Sequence, residues 1–113
     1  MKKIAFVSFE GDMMCFLHAL LNVWDYHGKG YEVALVMEGA STARILDIEK
    51  SPHKDLWQKI VEARLIKAVC KACAAQMGSL EKAEADGLPI SAALSGHAPL
   101  EPYTNEGYEI ILF

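Results

Sequence analysis

The sequence predicts an α/β protein built on a mostly parallel sheet that is covered on both faces. Two observations predict it. Short runs rich in Val, Ile and Phe recur along the chain, and helical stretches separate them. The runs are also continuously apolar, as in Val33-Ala34-Leu35-Val36-Met37. Strands with one wet face alternate, whereas strands buried on both faces do not. The length of 113 residues and the 52% hydrophobic content suit one domain, residues 1–113, around one core.

Lys3 to Phe9 is the first predicted strand. Glu10-Gly11-Asp12 turns the chain, with Asp12 as N-cap of a helix over residues 13–27. That helix is apolar around most of its circumference, through Met13, Met14, Phe16, Leu17, Leu20, Leu21, Val23 and Trp24. It is expected to bury more than one side, the second against another subunit. Gly28-Lys29-Gly30 stops it. Tyr31 to Met37 is the second strand, and Glu38-Gly39-Ala40-Ser41 turns the chain again. A short helix is expected over Thr42 to Ile48, broken by Ser51-Pro52. His53 to Arg64 is a clearer helix, with Leu56, Trp57, Ile60 and Val61 on one stripe. Leu65 to Cys70 is the third strand, and Cys73 to Ala85 a helix ended by Asp86-Gly87. Leu88 to Ala93 forms a short fourth strand, Ser95 to Asn105 a loop with Pro99 and Pro102, and Tyr108 to Phe113 a last strand.

The formal charge of -4 argues against a nucleic-acid partner held by phosphate neutralisation. Lys67 and Lys71 near the cysteines are two charges, not a basic stripe. Ile4 to Phe9 is far too short to span a bilayer, and no cleavage site follows Met1-Lys2-Lys3, so no membrane role is expected and the chain reads as cytoplasmic. Three cysteines, an odd number, fit a reducing compartment.

Open parallel sheets place their sites beyond the carboxyl ends of the strands. Three loops qualify: Ser8 to Asp12, Glu38 to Ser41, and the turn from Cys70 to Cys73. Two cysteines three positions apart at a strand-to-helix junction carry the chemistry. Unpaired amides and the helix dipole favour the thiolate there, and Lys71 adds a positive charge. That suits a persulfide carrier or a thiol–disulfide site, the favoured reading, which expects the Cys70 sulfur presented at the mouth of the sheet and would fail were it shut in among aliphatic side chains. The same pair is half of a zinc site, with His97 as a third ligand and Cys15, His18 or His27 as a fourth. Plain packing of both cysteines is the third reading. Cys15, on the apolar helix, is expected in the core, as is His18.

His97, in a proline-bearing loop, would serve as a base for Cys70 or as a metal ligand. Glu10, Asp12, Glu38 and Ser41 would line the site or simply cap turns, and Glu10 or Glu38 beside Cys70 would oppose the thiolate. His27 and His53 fall near helix ends. Met13, Met14, Met37 and Met77 fit core filling, and Trp24 and Trp57 fit core or interface anchors. No glycine-rich nucleotide fingerprint follows a strand, and no Ser-His-Asp signature is present.

The sequence resembles the DsrE/DsrF-like family of small sulfur-relay proteins, including its YchN-like members. The likeness runs through Lys3-Ile4-Ala5-Phe6-Val7, through Tyr31 to Val36 into Glu38-Gly39, and is sharpest at Cys70-x-x-Cys73-x-x-x-x-Gly78. Ser95-Gly96-His97 and Glu106-Gly107-Tyr108-Glu109 resemble an uncharacterised subgroup. The resemblance implies a three-layer α/β/α fold of about five strands and assembly into trimers or hexamers. It implies Cys70 as the sulfur-carrying cysteine, Cys73 as its accessory, sulfur donor and acceptor proteins as partners, and no diffusible cofactor. Met77 stands where many members have an arginine before the glycine, which would leave Lys71 to steady the thiolate.

Overall fold

A computed structural model describes residues 2–113. The apolar runs become five strands: β1 (Lys3–Ser8), β2 (Glu32–Met37), β3 (Ile66–Cys70), β4 (Ile90–Ser91) and β5 (Tyr108–Leu112). Every neighbouring pair is parallel, in the order β4-β3-β2-β1-β5. The chain steps outward from β1 to β4, then crosses back to lay β5 on the free side of β1.

Helices fill the connections: α1 (Met13–Gly28), α2 (Lys54–Glu62), α3 (Lys71–Met77), α4 (Leu80–Ala85) and α5 (Glu101–Asn105). Ile4, Phe6, Val33, Leu35 and Met37 point from the sheet to one face. There they meet Phe16, Leu20 and Val23 of α1 and Trp57 and Ile60 of α2. Each such fully buried side chain contributes about 1.5–3 kcal/mol of transfer free energy. On the other face Val7, Val36, Ala68 and Cys70 form a smaller core under Ala98, Leu100 and Tyr103. The result is the expected three-layer α/β architecture, with one thick and one thin outer layer.

Several local expectations are met. The Asp12 carboxylate accepts from the Cys15 N–H at 3.1 Å and caps α1. Lys29 follows as C-cap, its N–H on the carbonyls of Asp25 and Tyr26. Others are corrected. The segment 73–85 is two helices rather than one. Gly78 takes a left-handed conformation (φ 76°) that a side chain disfavours and closes α3, and buried Ser79 follows, its hydroxyl on the Ala74 carbonyl. The short helix expected over 42–48 is a 3₁₀ helix, Gly39–Leu46, followed by a second, Ile48–Lys50. The loop 95–105 contains α5, with Pro102 in its first turn where a missing N–H is harmless. The second side of α1 faces outward: Met14 is 69% and Leu21 49% exposed. Cys15 and His18 are exposed too, not in the core. Among the described residues no helix is long and apolar enough to cross a membrane.

One irregularity positions the site. Leu35 of β2 pairs with Ile66, but the next residue, Val36, pairs with Ala68. Lys67 is thus an extra residue in β3, a β-bulge. Ile66 joins the main core, and after the bulge Ala68 and Cys70 face the thin layer instead. In a regular strand residues 66, 68 and 70 would share one face. The bulge therefore turns the Cys70 sulfur toward the β4–β5 connection.

Candidate functional site

Three elements converge beyond the carboxyl end of β3. Cys70 is the last residue of β3 and the N-cap of α3, with extended backbone (φ -63°, ψ 118°) and no capping bond from its side chain. Cys73 lies one turn into α3. His97 comes from the β4–β5 connection, on a tight turn from Leu94 to His97 closed by two bonds. The Leu94 N–H donates to the His97 carbonyl at 2.9 Å, and the His97 N–H to the Leu94 carbonyl at 2.8 Å. Positive φ at both central residues, Ser95 (50°) and Gly96 (91°), gives the turn its type I′ shape. The Ala72 N–H donates to the Gly96 carbonyl at 2.9 Å and so fastens the turn to the start of α3.

These anchors bring the imidazole Nδ1 within reach of both sulfurs. His97 Nδ1 lies 3.3 Å from Cys70 Sγ and 3.6 Å from Cys73 Sγ, both within hydrogen-bonding reach. The two sulfurs and the imidazole nitrogen nearest them all lie within 4.8 Å of one another. Accessibility is graded: Cys70 is fully buried, Cys73 half-buried and His97 exposed.

The β2 loop forms the wall of the site. The Gly39 amide favours the Cys73 thiolate electrostatically, Glu38 opposes it and also acts on Tyr103, and His97 acts on Glu38. Ser41 holds this loop in place, its single hydroxyl proton shared between the Ser8 carbonyl at 2.6 Å and the Glu38 carbonyl at 2.7 Å. Gly39 has a positive φ of 56°, and a Cβ there would lie 2.8 Å from the Phe9 ring, so backbone and space both favour glycine. Burial, followed by the Cys70 contact, pushes the Cys73 thiol up to about 11, with Glu38 adding to the rise and the Gly39 amide opposing it. Burial also raises the Glu38 carboxyl, and nearby His97 partly offsets this.

The sequence-predicted residues divide accordingly. Cys70, Cys73, His97 and Glu38 come together. Gly78 closes α3 and touches none of them. Lys71 is exposed, with no ion pair or side-chain hydrogen bond among the described residues. Glu10 is exposed at the start of the α1 loop, its N–H on the Phe113 carbonyl. The Cys15 thiol is raised first by local desolvation, then by Asp12 and last by Glu10, and Glu10 is not part of the Cys70–Cys73–His97 cluster. Cys15, His18 and His27 all lie on α1, outside the cluster, and supply no fourth ligand to it.

Two expectations are corrected. Cys70 is not presented to solvent at the mouth of the sheet: aliphatic neighbours enclose it and only Cys73 is accessible. Nor is Cys73 favoured as a thiolate, because burial and the Cys70 contact outweigh the opposing Gly39 amide. Tyr103 was missed. It packs beside Cys70 from α5, and burial, then Glu106 and Glu38, raise its phenol. A tyrosine directly after Pro102 in an apparent loop carries no signal for this role.

A scan against protein-family models finds no match. The uncharacterized protein MJ0733 of Methanocaldococcus jannaschii is 30% identical over 117 residues, covering 96% of this chain and 93% of that protein. An uncharacterized protein of Archaeoglobus fulgidus is 44% identical over 41 residues, 36% of this chain and 67% of its own length. Among solved structures, a conserved protein of unknown function from Bacteroides thetaiotaomicron, BT1422, superposes with a TM-score of 0.69. It has 14% identity, over 99% of this chain and 95% of that one, a likeness of fold alone.

Proposed function

The chain belongs to the family of the Methanocaldococcus jannaschii protein, and we propose that it is a small sulfur-relay protein carrying sulfane sulfur on the Cys70–Cys73 pair. The placement of His97 Nδ1 within 3.6 Å of both sulfurs carries this reading. The resemblance to DsrE/DsrF-like proteins at Cys70-x-x-Cys73-x-x-x-x-Gly78 supports it.

Half-buried Cys73 is the sulfur that a partner reaches first. Its proton passes to His97, and the thiolate attacks the outer sulfur of a donor persulfide, R–S–SH. A bond forms between Cys73 Sγ and that sulfur, the donor S–S bond breaks, and R–S⁻ leaves and takes up a proton. An acceptor thiolate removes the sulfur by the same exchange in reverse. Cys70, behind Cys73, is the second thiol that shares the sulfur. A thiol that stays protonated until His97 takes its proton resists idle oxidation, because the thiolate is the reactive form. Donor and acceptor are proteins that dock at the carboxyl end of the sheet, and no diffusible cofactor takes part. The working form is a cytoplasmic homo-oligomer, a trimer or hexamer.

The test is anaerobic incubation of the reduced chain with a low-molecular-weight persulfide, followed by peptide mass spectrometry. One added sulfur is expected on Cys73 or Cys70, and His97→Ala should slow loading by about 100-fold, the usual worth of a positioned base. An adduct on neither cysteine, or an equal one on exposed Cys15, rejects the reading.

A further inference from the structure

Cys70, Cys73 and His97 offer two sulfurs and one nitrogen and no oxygen, a donor set that favours zinc-like over alkaline-earth ions. In tetrahedral zinc coordination, bonds of about 2.3 Å to sulfur and about 2.0–2.1 Å to nitrogen put ligand atoms roughly 3.6 Å apart for each S···N pair and roughly 3.8 Å apart for S···S. The observed S···N separations are 3.3 and 3.6 Å, and all three atoms lie within 4.8 Å of one another. The imidazole already stands at ligand spacing from both sulfurs. Each donor also has its own anchor: the end of a central-sheet strand, the first turn of a helix, and a closed turn tied to that helix through Ala72 and Gly96. Sites held on such fixed elements lose little freedom on binding.

We infer that the reduced chain binds one zinc-class ion through Cys70 Sγ, Cys73 Sγ and His97 Nδ1, with the fourth position open. Binding releases the two thiol protons to solvent, and His97 keeps its proton on Nε2. The two thiolates then balance the ion's two positive charges. The fourth position opens on the side of Cys73 and exposed His97, since no further cysteine or histidine among the described residues joins the cluster. Three protein ligands with an open position mark an ion that can be exchanged or can accept an outside ligand, unlike a closed four-ligand structural site. The inference stands on geometry and does not require the sulfur relay. If both hold, the ion and the sulfane sulfur compete for the same two thiols.

The test titrates the anaerobically reduced full chain with Co²⁺ as an optical reporter and then with Zn²⁺. One Co²⁺ per chain is expected, with a thiolate-to-metal charge-transfer band and tetrahedral d–d bands, all lost when Zn²⁺ displaces it. Cys15→Ser should leave the titration unchanged. Cys73→Ser should lose most of the charge-transfer intensity, and His97→Ala should weaken binding about tenfold or more. The half-buried and exposed ligands are varied in preference to Cys70, whose replacement in the small core threatens folding. Absence of a thiolate band, or a band that survives both Cys73→Ser and His97→Ala unchanged, overturns the assignment. Persulfide loading is read separately by mass, so loading without cobalt binding rejects the metal alone, and cobalt binding without loading rejects the relay alone.

Discussion

Burial, the Cys70 sulfur and the Glu38 carboxylate all act on Cys73 in one direction, and the Gly39 amide alone opposes them. A thiol moved from its ordinary 9.0 to about 11 is a thiolate in on the order of one molecule in 10⁴ at pH 7. Alkylation of Cys73 by a neutral reagent should therefore be slow at pH 7 and rise about tenfold per pH unit until it levels near 11. In the urea-unfolded chain the same residue should level off about two units earlier. Glu38→Gln removes one of the raising influences and should move the folded profile to lower pH. The sign for stability follows: between the two values the folded chain keeps a proton that the unfolded chain has lost, so stability falls as pH rises through that window and is unaffected below it. Alkylation as fast in the folded chain as in the unfolded one at pH 7 would contradict this account.

At the scale of elements, the bulge at Lys67 decides which layer Cys70 meets. Only the backbone of Lys67 is needed for that, since its side chain is exposed. Lys67→Ala should change unfolding free energy by no more than about 0.5 kcal/mol. Deleting Lys67 should cost several times more, about 2–5 kcal/mol, because Ala68 and Cys70 would turn into the main core and Val69 out of it. Urea unfolding of the two variants checks this, and a deletion as stable as the wild type would deny the bulge its role. The bulge also marks where sequence reading stops. Ile4 to Val7, Val33 to Met37 and the Asp12 cap were legible because each is a local property of a few adjacent residues. A one-residue shift between partner strands is not local, and neither the interruption of the helix at Gly78 nor α5 over the second face could outweigh the helical and loop patterns around them. Cys70, Cys73 and His97 were each legible as reactive types. Their grading from buried to exposed was not, because it depends on how Ala98 and Leu100 close over β3.

At the scale of the molecule, the return of β5 to the free side of β1 leaves the two faces of the sheet unequally covered. The apolar circumference of α1 was legible, but the single chain buries only the side carrying Phe16, Ala19, Leu20 and Val23. Met14 and Leu21, seven positions apart, share the opposite side and remain largely exposed. This outward side of the longest helix, with Met14 and Leu21 interleaved by His18 and Asp25, is the surface a homo-oligomer would use, and a closed symmetric assembly would cover it in every copy. Light scattering of the wild type at micromolar concentration should report three or six chains. The double variant Met14→Glu, Leu21→Glu should report fewer chains per particle with unchanged far-ultraviolet circular dichroism, because neither side chain supports the core. A wild type that scatters as one chain, or a double variant that keeps the wild-type mass, removes α1 as the contact. Persulfide loading measured on the same double variant then separates assembly from chemistry, since neither Met14 nor Leu21 belongs to the Cys70–Cys73–His97 cluster.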